Sequence, residues 1–147
     1  MFKPSSREIP IEKQAATLLF IDVQNYNARR DGGEYVGMST TELSERFGYF
    51  FDIIERETIS NMQKIQTACR AGQVEVMYTV IESLTKDGRD RSLDYKITGF
   101  NVPRDSWDAQ VLEAIAPAED EIVLSKTSSS VFISTNIDYV LRNLGTR

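Results

Sequence analysis

Residues 17–25 read TLLFIDVQN, a short, largely apolar run that meets a carboxylate at Asp22. The run is continuous rather than alternating, which predicts a strand covered on both faces, as in a parallel sheet. A strand built for burial has no structural need of a terminal carboxylate. In open parallel sheets, however, ligands bind outside the carboxyl ends of the strands. Asp22 therefore stands where such a fold does its chemistry.

Working outward, VEVMYTVI at residues 74–81 and DEIVLSK at residues 120–126 read as two further strands. Ser39 and Glu42 have capping-box spacing. Apolar residues from Leu43 to Ile65 then recur at three- and four-residue intervals, predicting an amphipathic helix to about Arg70 with Gly72 as its stop. Gly48 is a candidate bend within it. Residues 27–39 read as a loop, and residues 82–106 as one long polar loop, a length associated with lids and binding loops. WDAQVLEAIA at residues 107–116 reads as a short helix, capped by Ser106 or Asp105 and followed by Pro117. A last helix is expected behind Thr135 or Asn136, stopped by Gly145. Residues 1–14 form a polar lead-in that Pro4 and Pro10 keep extended.

This alternation predicts an α/β fold with a doubly wound, Rossmann-like parallel sheet, in one domain over residues 1–147. Three strands make a thin sheet. The sequence also stops just past a helix, at LGTR, so the expectation is the front portion of a longer domain.

Length and composition agree with a globular chain: 147 residues, 41% hydrophobic and 27% charged. A net charge of −5 without a basic face gives no reason to expect nucleic acid. No apolar run approaches the ~20 residues that span a bilayer, and no apolar segment follows Lys3 to make a signal peptide. A single cysteine, Cys69, allows no internal disulfide and fits a reducing cytoplasm. There is no histidine. That removes Ser-His-Asp triads, Cys-His dyads and His-based zinc sites made from this chain.

The chemistry-bearing residues gather at the predicted strand ends. Asp22 closes the first strand, Lys126 closes the third, and Glu82 follows the second. A carboxylate and an ammonium held together there would tune each other's ionisation, as a general base requires. The same pair also serves as a structural tie between strand ends, and spacing leaves both readings open. Asn25 is a substrate-orienting or strand-capping residue. Arg89, Arg91 and Tyr95 on the long loop can clamp a carboxylate or carbamoyl group, or simply face solvent. Trp107 lines a pocket or packs. Ser128, Ser129 and Ser130 beside Lys126 raise a Ser–Lys nucleophile, against a plain capping role. Phe47, Phe50 and Phe51 have core periodicity, or cover an interface.

TLLFIDVQN, followed by DEIVLSKTSSSVFISTNIDYVLRNLG at residues 120–145, resembles the isochorismatase-like cysteine hydrolases. These include nicotinamidases, N-carbamoylsarcosine amidases and ureidoacrylate amidohydrolases. Asp22, Gln24 and Asn25 match the end of that family's first strand; Lys126, Ser130, Phe132 and Thr135 match its later strand and turn. The resemblance implies an Asp-Lys-Cys triad in which Asp22 takes the thiol proton and Lys126 favours the anions formed. The cysteine attacks a small amide or carbamoyl substrate. It further implies a homo-oligomer and no cofactor. The nicotinamidase branch's Asp/His metal site lacks its histidines here, so no metal is expected.

The departure from the pattern is the nucleophile. No cysteine follows Lys126, and Cys69 precedes the second strand near a helix end, where it reads as a core filler. The expectation is an amidohydrolase whose cysteine lies beyond this chain, which is inactive alone. The alternative is an inactive truncated relative, or a partner module of full-length subunits. Haloacid-dehalogenase-like phosphotransferases also oppose a strand-end Asp to a distant Lys, but want a second aspartate where this chain has Gln24.

Overall fold

In the computed structural model, which describes residues 10–147, the opening apolar run forms β1 (Thr17–Ile21). The expectations for residues 1–9, including the extended lead-in around Pro4 and the reading of the segment after Lys3, lie outside the described residues; the end of the lead-in is not extended but enters a 3₁₀ turn at Lys13–Ala15. β2 (Glu75–Ile81) and β3 (Ile122–Lys126) complete a three-stranded, all-parallel sheet in the order β1-β2-β3. Register pairs Ile21 with Thr79 and Ile81 with Lys126, so the strands end close together on one edge.

Ser39 caps α2 (Thr40–Ile53) with both bonds of a capping box: its hydroxyl accepts from the Glu42 N–H, and the Glu42 carboxylate accepts from the Ser39 N–H. The expected single helix is interrupted. A π-turn at Ile54–Thr58 leads into α3 (Ile59–Ala71), and the irregularity lies there rather than at Gly48. Phe51 and Ile54 from this helical stretch bury against Phe20, Val76 and Tyr78 on one sheet face, joined by Leu112 and Ile115. Met77 and Thr79 on the opposite face are equally buried. The central strand β2 is thus covered on both sides, which explains its continuous apolar pattern.

Three loop and helix expectations change. Residues 27–39 are not plain loop, since α1 (Asn25–Ala28) and a 3₁₀ turn at Gly33–Tyr35 occupy the region. The long connection after β2 contains α4 (Leu93–Thr98), ended by Gly99 at φ 83°. Residues 107–116 are not a helix. Two 3₁₀ turns, Trp107–Ala109 and Glu113–Ile115, flank an extended piece in which Val111 forms an antiparallel bridge with Gln24. Bonds from Asn25 N–H to the Gln110 carbonyl and from Leu112 N–H to the Val23 carbonyl complete that pairing. Backbone pairing with a distant segment outweighs a local preference of a few tenths of a kcal/mol per residue. Beyond β3 come α5 (Val131–Ser134) and α6 (Ile137–Asn143). Thr135 supplies the hydroxyl that accepts from the Ile137 N–H, and Gly145 follows at φ 76°.

Candidate active site

The two strand-end charges meet. Lys126 Nζ lies 2.8 Å from Asp22 Oδ2, with the lysine side chain 2% and the aspartate side chain 19% exposed. Parallel pairing brings them to the same end of the sheet: β2 stands between the two strands, with Ile21 paired to Thr79 and Lys126 paired to Ile81. Asp22 has left the strand conformation, with φ 55°, a left-handed geometry that costs a non-glycine residue on the order of 1 kcal/mol or more. Its N–H still bonds the Thr79 carbonyl at 2.9 Å, and the Thr79 hydroxyl donates to Asp22 Oδ1 at 2.9 Å. The carboxylate is therefore held by one oxygen on each side.

The lysine is held more tightly. Besides Asp22, its ammonium donates to Tyr95 Oη at 3.0 Å and to the Ser128 carbonyl at 3.1 Å. Burial pulls the Lys126 pKa down, but the hydrogen bonds to Asp22 and Tyr95, with the Asp22 charge, more than offset it and leave it above its ordinary value. Lys126 is a buried cation at neutral pH.

Two partners of this pair escaped the sequence reading in their actual roles. Thr79 is a small polar residue in the largely apolar run of β2, which was the available signal. Tyr95 reads as a loop clamp, yet it is buried on α4 with its ring stacked on Phe100, centroids 5.4 Å apart. Gln24 is wholly buried: its amide donates to the carbonyls of Ile81 and Asp108, both at 2.9 Å, and its oxygen accepts from the Ile81 N–H at 2.6 Å. It ties the end of β1 to β2 and to the segment after the long loop, so the position that a phosphotransferase would give to an acid is structural here.

The remaining candidates separate. Asn25, Glu82 and Trp107 line a cleft of about 660 Å³ whose lining includes neither Asp22 nor Lys126. Asn25 donates to the Trp107 carbonyl at 2.9 Å, and Glu82 accepts from the Asp105 N–H and the Ser125 hydroxyl. Trp107 is 45% exposed, with the Arg29 guanidinium 5.3 Å from its ring centre. Arg91 turns its guanidinium onto the Gly88 and Phe100 carbonyls, inside its own loop. Asp22 instead borders a second, apolar hollow of about 430 Å³ walled by Ile21, Phe50, Ile53 and Met62.

The hydroxyls of Ser128 and Ser129 are engaged away from the Asp22–Lys126 pair. Ser128 Oγ donates to the Ser130 carbonyl and Ser129 Oγ to Asp94, and Lys126 meets the backbone of Ser128 rather than its hydroxyl. Cys69 lies on α3 against the core, next to the start of β2. A seven-residue strand at about 3.3 Å per residue puts roughly 20 Å between that end of the sheet and Asp22. Among the described residues, no group of three or more His, Cys, Asp or Glu could hold a metal ion, and no helix is long and apolar enough to cross a membrane.

A family model described as Isochorismatase domain matches residues 16–147. The chain belongs to the isochorismatase family. Within that family's relatives, an N-carbamoylsarcosine amidase from an Arthrobacter species is 38% identical over 100 residues, covering 64% of this chain and 38% of the relative. A ureidoacrylate amidohydrolase from Rhizobium rhizogenes is 25% identical over an alignment of 158 residues, covering 97% and 61%. Among solved structures, a cysteine hydrolase from Pseudomonas syringae pv. phaseolicola matches with TM-score 0.72 and 27% identity, over 99% of this chain and 62% of that one. An N-carbamoylsarcosine amidase from Thermoplasma acidophilum, 22% identical, shares the fold at TM-score 0.58, over 89% and 62%. This isochorismatase-family chain thus spans less than two thirds of each of these relatives.

Proposed function

We propose that the chain supplies the general base and its ammonium partner for an amidohydrolase that cleaves a small amide or carbamoyl C–N bond, with the nucleophilic thiol provided from outside these 147 residues. The observation that carries the reading is the Asp22–Lys126 contact of 2.8 Å at the carboxyl ends of the strands, the edge at which open parallel sheets generally bind ligands, in a chain of this family. The names of its amidase relatives support the substrate class.

The chemistry follows from the geometry. Each Asp22 oxygen spends one lone pair, on Thr79 or Lys126, and keeps another for a proton. The carboxylate takes the thiol proton, and the thiolate attacks the carbonyl carbon. The C–N bond then breaks as the leaving nitrogen receives that proton. Water, deprotonated by the same carboxylate, releases the acid and restores the thiol. Lys126, 2.8 Å away, keeps a positive charge beside the carboxylate throughout. Cys69 does not enter, because its place on α3 is at the other end of the sheet. Because their cleft lies apart from the pair, Asn25, Glu82 and Trp107 are proposed to contact only parts of the substrate remote from the reacting bond, and Arg91 only with a rearrangement of its loop. A homo-oligomer is proposed as the working form.

The test is amide and ureide hydrolysis by the 147-residue chain. No turnover is expected. Turnover abolished by Asp22→Ala but untouched by Cys69→Ser would overturn the proposal in favour of a serine nucleophile or a mechanism without a covalent step. The second reading, a non-catalytic partner of full-length subunits, predicts a stable stoichiometric complex with such subunits when the two are co-expressed.

A further inference from the structure

The ammonium of Lys126 has three N–H bonds and three partners, Asp22 Oδ2, Tyr95 Oη and the Ser128 carbonyl, and its side chain is 2% exposed. No N–H remains to reach a substrate or an oxyanion. Lys126 therefore acts through Asp22, and its usefulness depends on what keeps it aimed there. Ser128 is the lysine's near neighbour on the chain and offers only a backbone carbonyl. Tyr95 comes from a different element, delivered by the long connection between β2 and β3.

That connection is built to hold its tyrosine. The Ser92 N–H bonds the Thr127 carbonyl at 2.9 Å, and the Ser129 hydroxyl donates to Asp94, so α4 is tied at both points to the chain just past Lys126. Farther along, the Ser83 N–H meets the Val102 carbonyl at 2.9 Å, closing the base of the connection. The Tyr95 ring stacks on Phe100, which in turn packs on Tyr26, and Val102 and Ala109 complete a small buried cluster. A loop this firmly anchored is a scaffold rather than a lid.

We propose that Tyr95 is a positioning residue: by accepting a hydrogen bond from the ammonium it holds Lys126 on Asp22, and the β2–β3 connection exists in part to present it. This rests on the reading of Asp22 as the base. The titratable groups facing Lys126 are Asp22 from the end of β1 and Tyr95 from α4. Both hydrogen bonds favour the charged lysine, and burial opposes them.

The experiment follows the ammonium protons of Lys126 by proton–nitrogen NMR on the lysine-labelled chain, across a pH series. In the unsubstituted protein the Lys126 signal persists to higher pH than that of exposed Lys96 on the same helix as Tyr95. In Tyr95→Phe, which keeps the ring, exchange of the Lys126 protons becomes roughly tenfold faster, as loss of one hydrogen bond to a charged group implies. Its pH profile shifts to lower pH, while Leu93→Ala, an exposed change on the same helix, leaves the profile in place. Unchanged exchange in Tyr95→Phe overturns the proposal. So does a Lys126 signal no more persistent than that of Lys96 in the unsubstituted chain, a result available even if the variant does not fold. The measurement needs no turnover, so a failed amidohydrolase assay leaves this outcome independent.

Discussion

At the residue scale the Asp22–Lys126 pair is lopsided, and its energetics should be too. Lys126 is almost fully enclosed, whereas Asp22 keeps partial access to solvent and a second partner in Thr79. Removing the carboxylate leaves an uncompensated ammonium inside the protein, a loss of about 3–5 kcal/mol. Removing the ammonium leaves a carboxylate that still has the Thr79 hydroxyl and some water. Asp22→Ala should therefore destabilise the chain more than Lys126→Met, a ranking that paired urea melts will read directly. The opposite order would mean that the pair serves folding through the aspartate, not the lysine. Both charges were legible in the sequence, because the end of an apolar run is a position that one dimension records. Their companions were not. Nothing local to Tyr95 announces that its hydroxyl meets a lysine from the third strand.

At the scale of elements, one carboxylate joins three of them. Glu121, just ahead of β3, receives the Arg70 guanidinium from α3 at 2.8 Å, the Tyr78 hydroxyl from β2 at 3.1 Å and the Ala118 N–H at 2.9 Å. The hydrogen bond from Arg70 leads the causes that hold the Glu121 carboxyl below its ordinary pKa, with burial opposing it. A depressed carboxylate contributes stability that is present above the unfolded pKa, near 4.3 for glutamate, and is lost as pH falls through the folded one. Thermal melts in the acid range should thus show the parent chain losing stability more steeply than Glu121→Gln, and the two curves converging as pH falls. Parallel slopes would remove Glu121 from the acid response. The elements also mark how far local sequence reaches. The capping box at Ser39 and the stop at Gly72 were readable because both are short-range signals. The π-turn at Ile54–Thr58 and the extended piece around Val111 were not, since each is set by what packs or pairs across the fold.

At the scale of the whole molecule, the exposed surface carries a prediction. Ile21 at the end of β1 is 58% exposed, and Tyr49 and Phe50 stand open beside the hollow that borders Asp22. A contiguous apolar surface next to an edge strand invites association. The 147-residue chain should bind ANS and self-associate with rising concentration in sedimentation runs; a dye-silent, cooperatively melting monomer would contradict this. The sequence by itself determined the three strands, the capped helix, the α/β class and the two charges at strand ends, because burial periodicity and cap chemistry act over a few residues. Only the tertiary structure decided that those charges touch and that Tyr95 and Thr79 hold them. It likewise decided that Gln24 stitches the strand ends and that the cleft holding Asn25, Glu82 and Trp107 lies apart from the pair. The physical reason is range: each of these contacts joins residues dozens of positions apart, and strand register and the packing of the β2–β3 connection, not local preference, set which atoms meet.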